Sequence, residues 1–417
     1  MRKRILAVAA TAAAVAAALS GCSQGGDASG SGSTTITFAH WGNDQENATE
    51  QAMIAAFEKA HPDITVKANW VQNNYEQQLQ TMIAGGTAPD VAQISNSSLG
   101  QFASTFAPVE VKGSDFYSEN IAASMKFQGK YYAIPFTVKT KTMAVNKAVF
   151  EKAGVAVPSG TDPLNPDAYA KLATSLVSAG SPKTFGAAPL GFDQWLTIYG
   201  GSQFSADGKT CTYDSDAAVS AADQVIDAQS PDGYAPSQAE ANGQDMFGWL
   251  TTGRVAMFPD FGPWSIAQLA QLPNSSDFAL VPVPGKGSSM EIDGLAISSS
   301  SSQEKQAAAK TFATFMATDP AAQKLLTTAK SSLGLPVIEA AKASALAAAP
   351  DQNIAAFFSA VSQSTIAPSF SKTQSNINGT IETDLSTRTA VGSGHESPKK
   401  VLADLNTTCQ KQLDAGE

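Results

Sequence analysis

Residues 253–264 read GRVAMFPDFGPW, and the rest of the chain can be arranged around this stretch. Val255, Ala256, Met257 and Phe258 form a short apolar run bounded by turn formers, the pattern of a buried strand. Pro259 has no N–H for a ladder and is expected to end that strand. Gly262-Pro263 suits a helix entry, with proline at the first helical position and Trp264 just inside. A strand that breaks at Pro-Asp-Phe-Gly and turns into a helix carrying tryptophan brings polar and aromatic groups together. Taken alone, such a stretch is more often a packed piece of core, so its neighbours must decide.

Upstream, residues 35–39 alternate with Ile36 and Phe38 on one face, a first strand that runs straight into His40-Trp41-Gly42-Asn43-Asp44. Residues 49–60 place Met53, Ile54 and Phe57 at helical spacing, and 64–70 read as a second strand. Residues 75–84 read as a helix and 91–94 as a strand. This β-α-β-α-β order predicts an α/β chain with a parallel sheet, whose ligands gather at the carboxyl ends of strands. Trp41, Asn43, Asp44, Ser95 and Asn96 all follow strand ends. Residues 131–135 and 141–145 are extended pieces, and from Asn146 the αβ rhythm restarts. Beyond residue 340 the chain reads as mostly helical.

A length of 417 residues favours about two domains, and 43% apolar with 15% charged residues describes a globular chain. Arg2, Lys3 and Arg4 precede an alanine-rich apolar run from 5 to 19, a secretory signal too short to remain as a membrane span. Leu19-Ser20-Gly21-Cys22 resembles the bacterial lipoprotein signal. Residues 1–21 would be removed, leaving Cys22 as the lipidated first residue and 22–34 as a flexible tether. The expected location is the outer face of the cytoplasmic membrane. The net charge is −10, and −13 without the three basic residues of the signal, which argues against nucleic acid or anionic lipid as partner. Cys211 and Cys409 remain, and an oxidising compartment allows them to pair.

No catalytic constellation is evident. His40, His61 and His395 stand at no metal-ligand spacing, and no P-loop or dinucleotide fingerprint occurs, so neither metal nor cofactor is expected. Asp44, Asp90, Asp260 and Asp293 keep a pair of glycosidase carboxylates open. What stands out suits binding: Trp41, Trp195, Trp264 and Phe370 each sit beside polar or turn residues. Flat rings cover the C–H face of a sugar. Asn43, Asp44, Asn96, Asp260 and Asp293 would serve its hydroxyl rim.

With these pieces in order, the chain resembles the extracellular solute-binding proteins of carbohydrate ABC importers, the maltose-binding-protein-like group. HWGNDQENATEQAMIAAFEKAHPDITV at 40–66, YYAIPFTVKTKTMAVNKAVFEKAGV from Tyr131 and GRVAMFPDFGPW carry the likeness, which continues through DGLAIS and GLPV. The resemblance implies a two-lobed periplasmic-binding-protein-like fold with discontinuous αβ lobes joined by a hinge. Residues 35–138 plus 262–336 would form one lobe, and 139–261 plus 337–417 the other. Crossings would fall near 136–141, 258–262 and 335–338. It further implies a monomer that closes on an oligosaccharide and delivers it to ABC permease subunits, without catalysis. Trp41, Asn43, Asp44 and Asp90 would line the first lobe, Trp195 and Phe370 the second, and Trp264 would sit near the hinge. A polyamine or other small solute, and a secreted glycoside hydrolase, remain as alternatives. The chain departs from its relatives at residues 142–145, where they often place a tyrosine, and at His40, whose role stays open between ligand and packing.

Overall fold

Alternating apolar residues start a parallel core. β1 (Thr34–Trp41) buries Ile36 and Phe38 completely and pairs in parallel with β2 (Ile64–Val71) and β3 (Val91–Ser95). The computed structural model describes residues 33–366, 369, 371–389 and 396–415. Two helices make the crossovers: α1 (Asp44–Ala60), with Met53, Ile54 and Phe57 inward, and α2 (Tyr75–Ala84), with Leu79 inward. α1 starts at Asp44 rather than at Thr49 because Asn43 and Glu46 form a reciprocal capping box over a polar first turn. Gly42 makes this entry possible. Its φ is +140°, and a Cβ there would lie 2.7 Å from that of Glu46.

Next come a small hairpin of β4 (Lys126–Phe127) and β5 (Lys130–Tyr131), then β6 (Ala133–Lys139) and β7 (Thr142–Asn146). They are followed by β8 (Phe185–Ala187), β9 (Val255–Phe261), β10 (Phe278–Val281), β11 (Ser289–Ile297) and β12 (Thr365–Ile366). The larger strands sort into two sheets. The first has the order β12-β11-β3-β1-β2, with β6 also paired to β11; the second has the order β10-β7-β9-β8. β11 runs antiparallel to both β3 and β6, and β7 runs antiparallel to both β9 and β10. One side of the second sheet packs Met143, Val145 and Met257 against Tyr169, Trp195 and Tyr213. There a disulfide joins Cys211 to Cys409, 198 residues apart. From the other side, Ala144, Phe261 and Phe278 join a core continuous with the first sheet.

Thr140 and Lys141 carry the chain from the first sheet to the second. Three expectations change. β9 does not stop at Pro259: Phe258 faces Ala144 and Phe261 faces Thr142, so Pro259 and Asp260 together oppose Met143 alone. This bulge puts the missing N–H where the ladder is already interrupted. Residues 278–281, inside the segment assigned to the first lobe, pair with β7 as β10, and the chain recrosses before β11. Leu335 is bridged to Val138, and the Val337 N–H donates to Gln323 Oε1 at 2.8 Å, so residues 335–338 still sit on the first lobe. A strand's partner is set by the edge it meets, and short strands carry little in their own residues that announces it.

Candidate functional site

β1 ends on Trp41 and β3 on Ser95, together at the carboxyl edge of the first sheet. The Trp41 ring leans on Tyr75 with centroids 4.9 Å apart. Tyr75 is held in turn by its hydroxyl, 2.8 Å from the Gln93 carbonyl and 3.1 Å from that of Ala39. A cavity of about 500 Å³ opens beside Trp41, Tyr75, Glu76 and Glu291. A second, of about 410 Å³, lies among Asn43, Glu46, Lys139, Lys141, Trp264 and Glu291. A third, of about 210 Å³, runs from Lys141 to Asp260, Gln194 and Ser288. Glu291 walls the first two and Lys141 the last two, so the three line up as one cleft from the first sheet to β9.

The cleft is ionic at its centre. Lys139 and Lys141, two apart on extended chain, share a side. Lys139 Nζ lies 2.9 Å from Asp293 and 3.8 Å from Glu46, and 5.2 Å from the centre of the Trp41 ring. Burial works against its charge, but Asp293, Glu46 and Glu291 outweigh burial and hold the ammonium above its usual range. Glu46 is shifted too: burial pushes its carboxyl up, against the pull of Lys139 and of the Asn43 N–H. Lys141 Nζ sits 2.7 Å from Asp260 Oδ1 and 4.3 Å from the Trp264 ring. The indole folds back over Gly262, where a Cβ would meet it at 2.2 Å, a physical reason for Gly-Pro-Trp.

Trp41, Asn43, Asp260 and Trp264 therefore come together in the cleft. Asp44 lies outside the three compartments, exposed at the start of α1, where its Oδ1 accepts from Gln72 Nε2 at 3.3 Å. Four expected ligand residues have other duties. Asp90 precedes β3, at the edge opposite the cleft. There it accepts from Thr37 N–H and Oγ1 (2.9 Å each), Ser301 Oγ (2.6 Å) and Lys305 Nζ (3.0 Å). Burial opposes its charge, yet these donors hold its carboxyl below the usual range. Asn96 is buried and closes the β3–β11 pair, exchanging 2.9 Å and 2.8 Å bonds with the Ile292 backbone. Asp293 is fully buried between Lys139 and Gln93 Nε2, the latter at 2.9 Å. Trp195 is core, edge-on to Tyr169 at 5.7 Å. His40 lies fully buried against Glu50 and offers no surface to a ligand. Phe370 and Cys22 lie outside the described residues.

Sequence reasoning passed over Tyr75, Lys139, Lys141 and Glu291. The signal was the spacing: Lys139/Lys141 and Glu291/Asp293 are i, i+2 pairs that place two charges on one face of an extended segment. Among the described residues, no group of three or more His, Cys, Asp or Glu side chains could hold a metal ion.

Known proteins share this architecture. An ABC substrate-binding protein from Listeria monocytogenes, solved in complex with cycloalternan, superposes with a TM-score of 0.79 at 24% identity, covering 91% of this chain and 99% of that one. The GacH receptor of Streptomyces glaucescens, solved unliganded and with acarbose, gives 0.74 at 27% identity over 92% and 99%. The melibiose/raffinose/stachyose-binding protein of Bacillus subtilis (strain 168) is 26% identical over 147 residues, 34% of either chain. An uncharacterized lipoprotein of Streptomyces antibioticus is 24% identical over 289 residues, 64% of this chain and 62% of that one. Residues 41–323 match the family described as bacterial extracellular solute-binding protein, and the chain belongs to that family.

Proposed function

We propose that this protein binds an oligosaccharide outside the cell and hands it to an ABC importer by closing its two lobes, without catalysis. One observation carries the reading: Trp41 and Trp264 flank a continuous cleft whose walls hold amides, hydroxyls and paired charges. Rings of this kind suit the apolar faces of sugars, and the polar rim suits their hydroxyls. In this reading Trp41, Asn43, Asp260 and Trp264 contact the ligand, with Asp44 at the rim. Asp260 and Asp293 are paired with lysines, so these two carboxylates are not free for a polyamine. Cys22, in a lipoprotein-like context, is proposed as the lipid anchor that holds a monomer near its permease; a relative named as a lipoprotein supports this.

Titration of purified protein with α- and β-linked di- to tetrasaccharides tests the reading. At least one should bind with micromolar affinity or better, roughly 8 kcal/mol. Trp41→Ala and Trp264→Ala should each weaken that binding at least tenfold, about 1.4 kcal/mol, while melting changes little. Loss of stability with affinity retained would assign both rings to packing. Sustained formation of shorter sugars would replace the receptor by a hydrolase.

A further inference from the structure

We propose that Glu291 determines ligand specificity, accepting hydrogen bonds from two neighbouring hydroxyls of an uncharged saccharide; the proposal rests on the receptor reading above. The β6–β11 register sets Glu291 directly opposite Lys139, and Asp293 follows two residues later on the same face. An ion pair between Glu291 and Lys139 is the obvious outcome, but it does not form. Lys139 is committed to Asp293 at 2.9 Å and Glu46 at 3.8 Å, and Lys141 to Asp260 at 2.7 Å. Among the described residues Glu291 has no hydrogen-bond or ion-pair partner, although it is part-buried in the wall shared by the 500 Å³ and 410 Å³ compartments.

A carboxylate withdrawn from water without donors is costly, and that cost is relieved if the ligand brings the donors. Sugar hydroxyls do so through charge-assisted O–H···O⁻ bonds. The charged groups facing Glu291 come from every neighbouring element: Asp293 on its own strand, Lys139 on β6, Lys141 beyond it, Glu46 on α1 and Glu76 on α2. Burial first, then Asp293, push its carboxyl up to about 7, against Lys139 and Lys141. Glu291 is therefore partly protonated near neutral pH before a ligand binds. A ligand that donates to the charged form drives the proton off, so affinity rises with pH.

Calorimetric titration with maltose, maltotriose, raffinose and stachyose, at pH 6 to 8 and in buffers of different ionisation enthalpy, tests this. The tightest binder should gain up to about tenfold in affinity across that range and release a fraction of a proton at pH 7. Glu291→Gln, which keeps the shape, should bind more weakly at pH 8, show no pH dependence and release no proton, while melting like the parent at pH 4.5, where the parent's carboxyl is protonated in the fold. A pH dependence that survives Glu291→Gln belongs to another group, and zero proton release in the parent denies the linkage; either result overturns the proposal alone. If no saccharide binds, the receptor reading fails and the proposal with it.

Discussion

The two sheets fill their interiors differently. Around the first sheet, His40, Glu46, Glu50, Gln93, Lys139 and Asp293 are all buried. The outer side of the second is packed with Tyr169, Trp195, Tyr213, aliphatic side chains and the Cys211–Cys409 disulfide. Buried ion pairs seldom stabilise more than apolar side chains of the same volume. Their concentration beneath Trp41 is therefore better explained by positioning than by stability: they fix Lys139 and, among the described residues, leave Glu291 without an ion-pair partner. The second sheet and the helix packed on it offer the cleft a wall through Asp260 and Gln194 and keep their largest rings for packing. An aromatic residue next to polar ones in sequence means different things in the two halves.

The sharpest way to break this contrast is Lys139→Met. Removing the cation that pairs with Asp293 and Glu46 leaves two buried carboxylates uncompensated, and denaturant unfolding should show a loss of about 3–5 kcal/mol. A variant as stable as the parent would mean that the ionic network is not what orders the first sheet. On the other side, replacing Cys211 and Cys409 together by serine opens a very long covalent loop and should cost about 2–5 kcal/mol. Saccharide affinity of the folded fraction should stay within about twofold, since the bridge lies in the outer core. Affinity falling in step with stability would tie that core to the cleft and dissolve the distinction.

Much of this was open to reading from the chain. α2 and the helix Lys147–Ala153 follow apolar spacing closed by Gly85 and Gly154, so their limits are legible residue by residue. Asp90 was legible too, because it precedes β3 and the amino edge of a parallel sheet is not the ligand edge. Trp195 yields to helical periodicity: Phe192, Leu196 and Tyr199 lie at i−3, i+1 and i+4, and in the helix Phe192–Ile198 its polar neighbours Asp193 and Gln194 point elsewhere. The Lys139–Glu291 juxtaposition was not legible. It depends on an antiparallel register between strands far apart in the chain, and on which of several carboxylates wins the lysine.

A smaller effect concerns the buried pair behind Trp41. Burial pushes the Glu50 carboxyl up to about 7, and His40 pulls it back only in part. Above its unfolded value of 4.5, the unfolded chain has lost the proton while the folded chain still holds it. Stability therefore falls as pH rises from 4.5 to 7 and is level beyond, a drop on the order of 3 kcal/mol from this residue. Glu50→Gln should remove that slope: near-equal stability at pH 4.5, and a more stable variant at pH 8. Parallel melting-versus-pH curves would show that Glu50 stays charged in the fold. The same experiment at Trp195, where no ionisable group is at stake, should shift both ends of the curve equally.

The smallest effect decides what Asn43 does, because one side chain serves fold and cleft at once. Its Oδ1 accepts from the N–H groups of Gln45 (2.9 Å) and Glu46 (3.0 Å), capping α1, while the residue lines the central compartment. Asn43→Ala removes the cap and should cost about 1 kcal/mol, read by denaturant unfolding. Asn43→Ser keeps a capping oxygen but has no amide, so its stability should stay within a few tenths of a kcal/mol of the parent. If the amide donates to ligand, both variants lose affinity alike, roughly three- to tenfold for one neutral hydrogen bond. If only the alanine variant loses affinity, Asn43 acts by holding α1, and with it Glu46, in place. In that case the first lobe touches the ligand through Trp41 and Glu291, and its helix end belongs with the structural ions beneath.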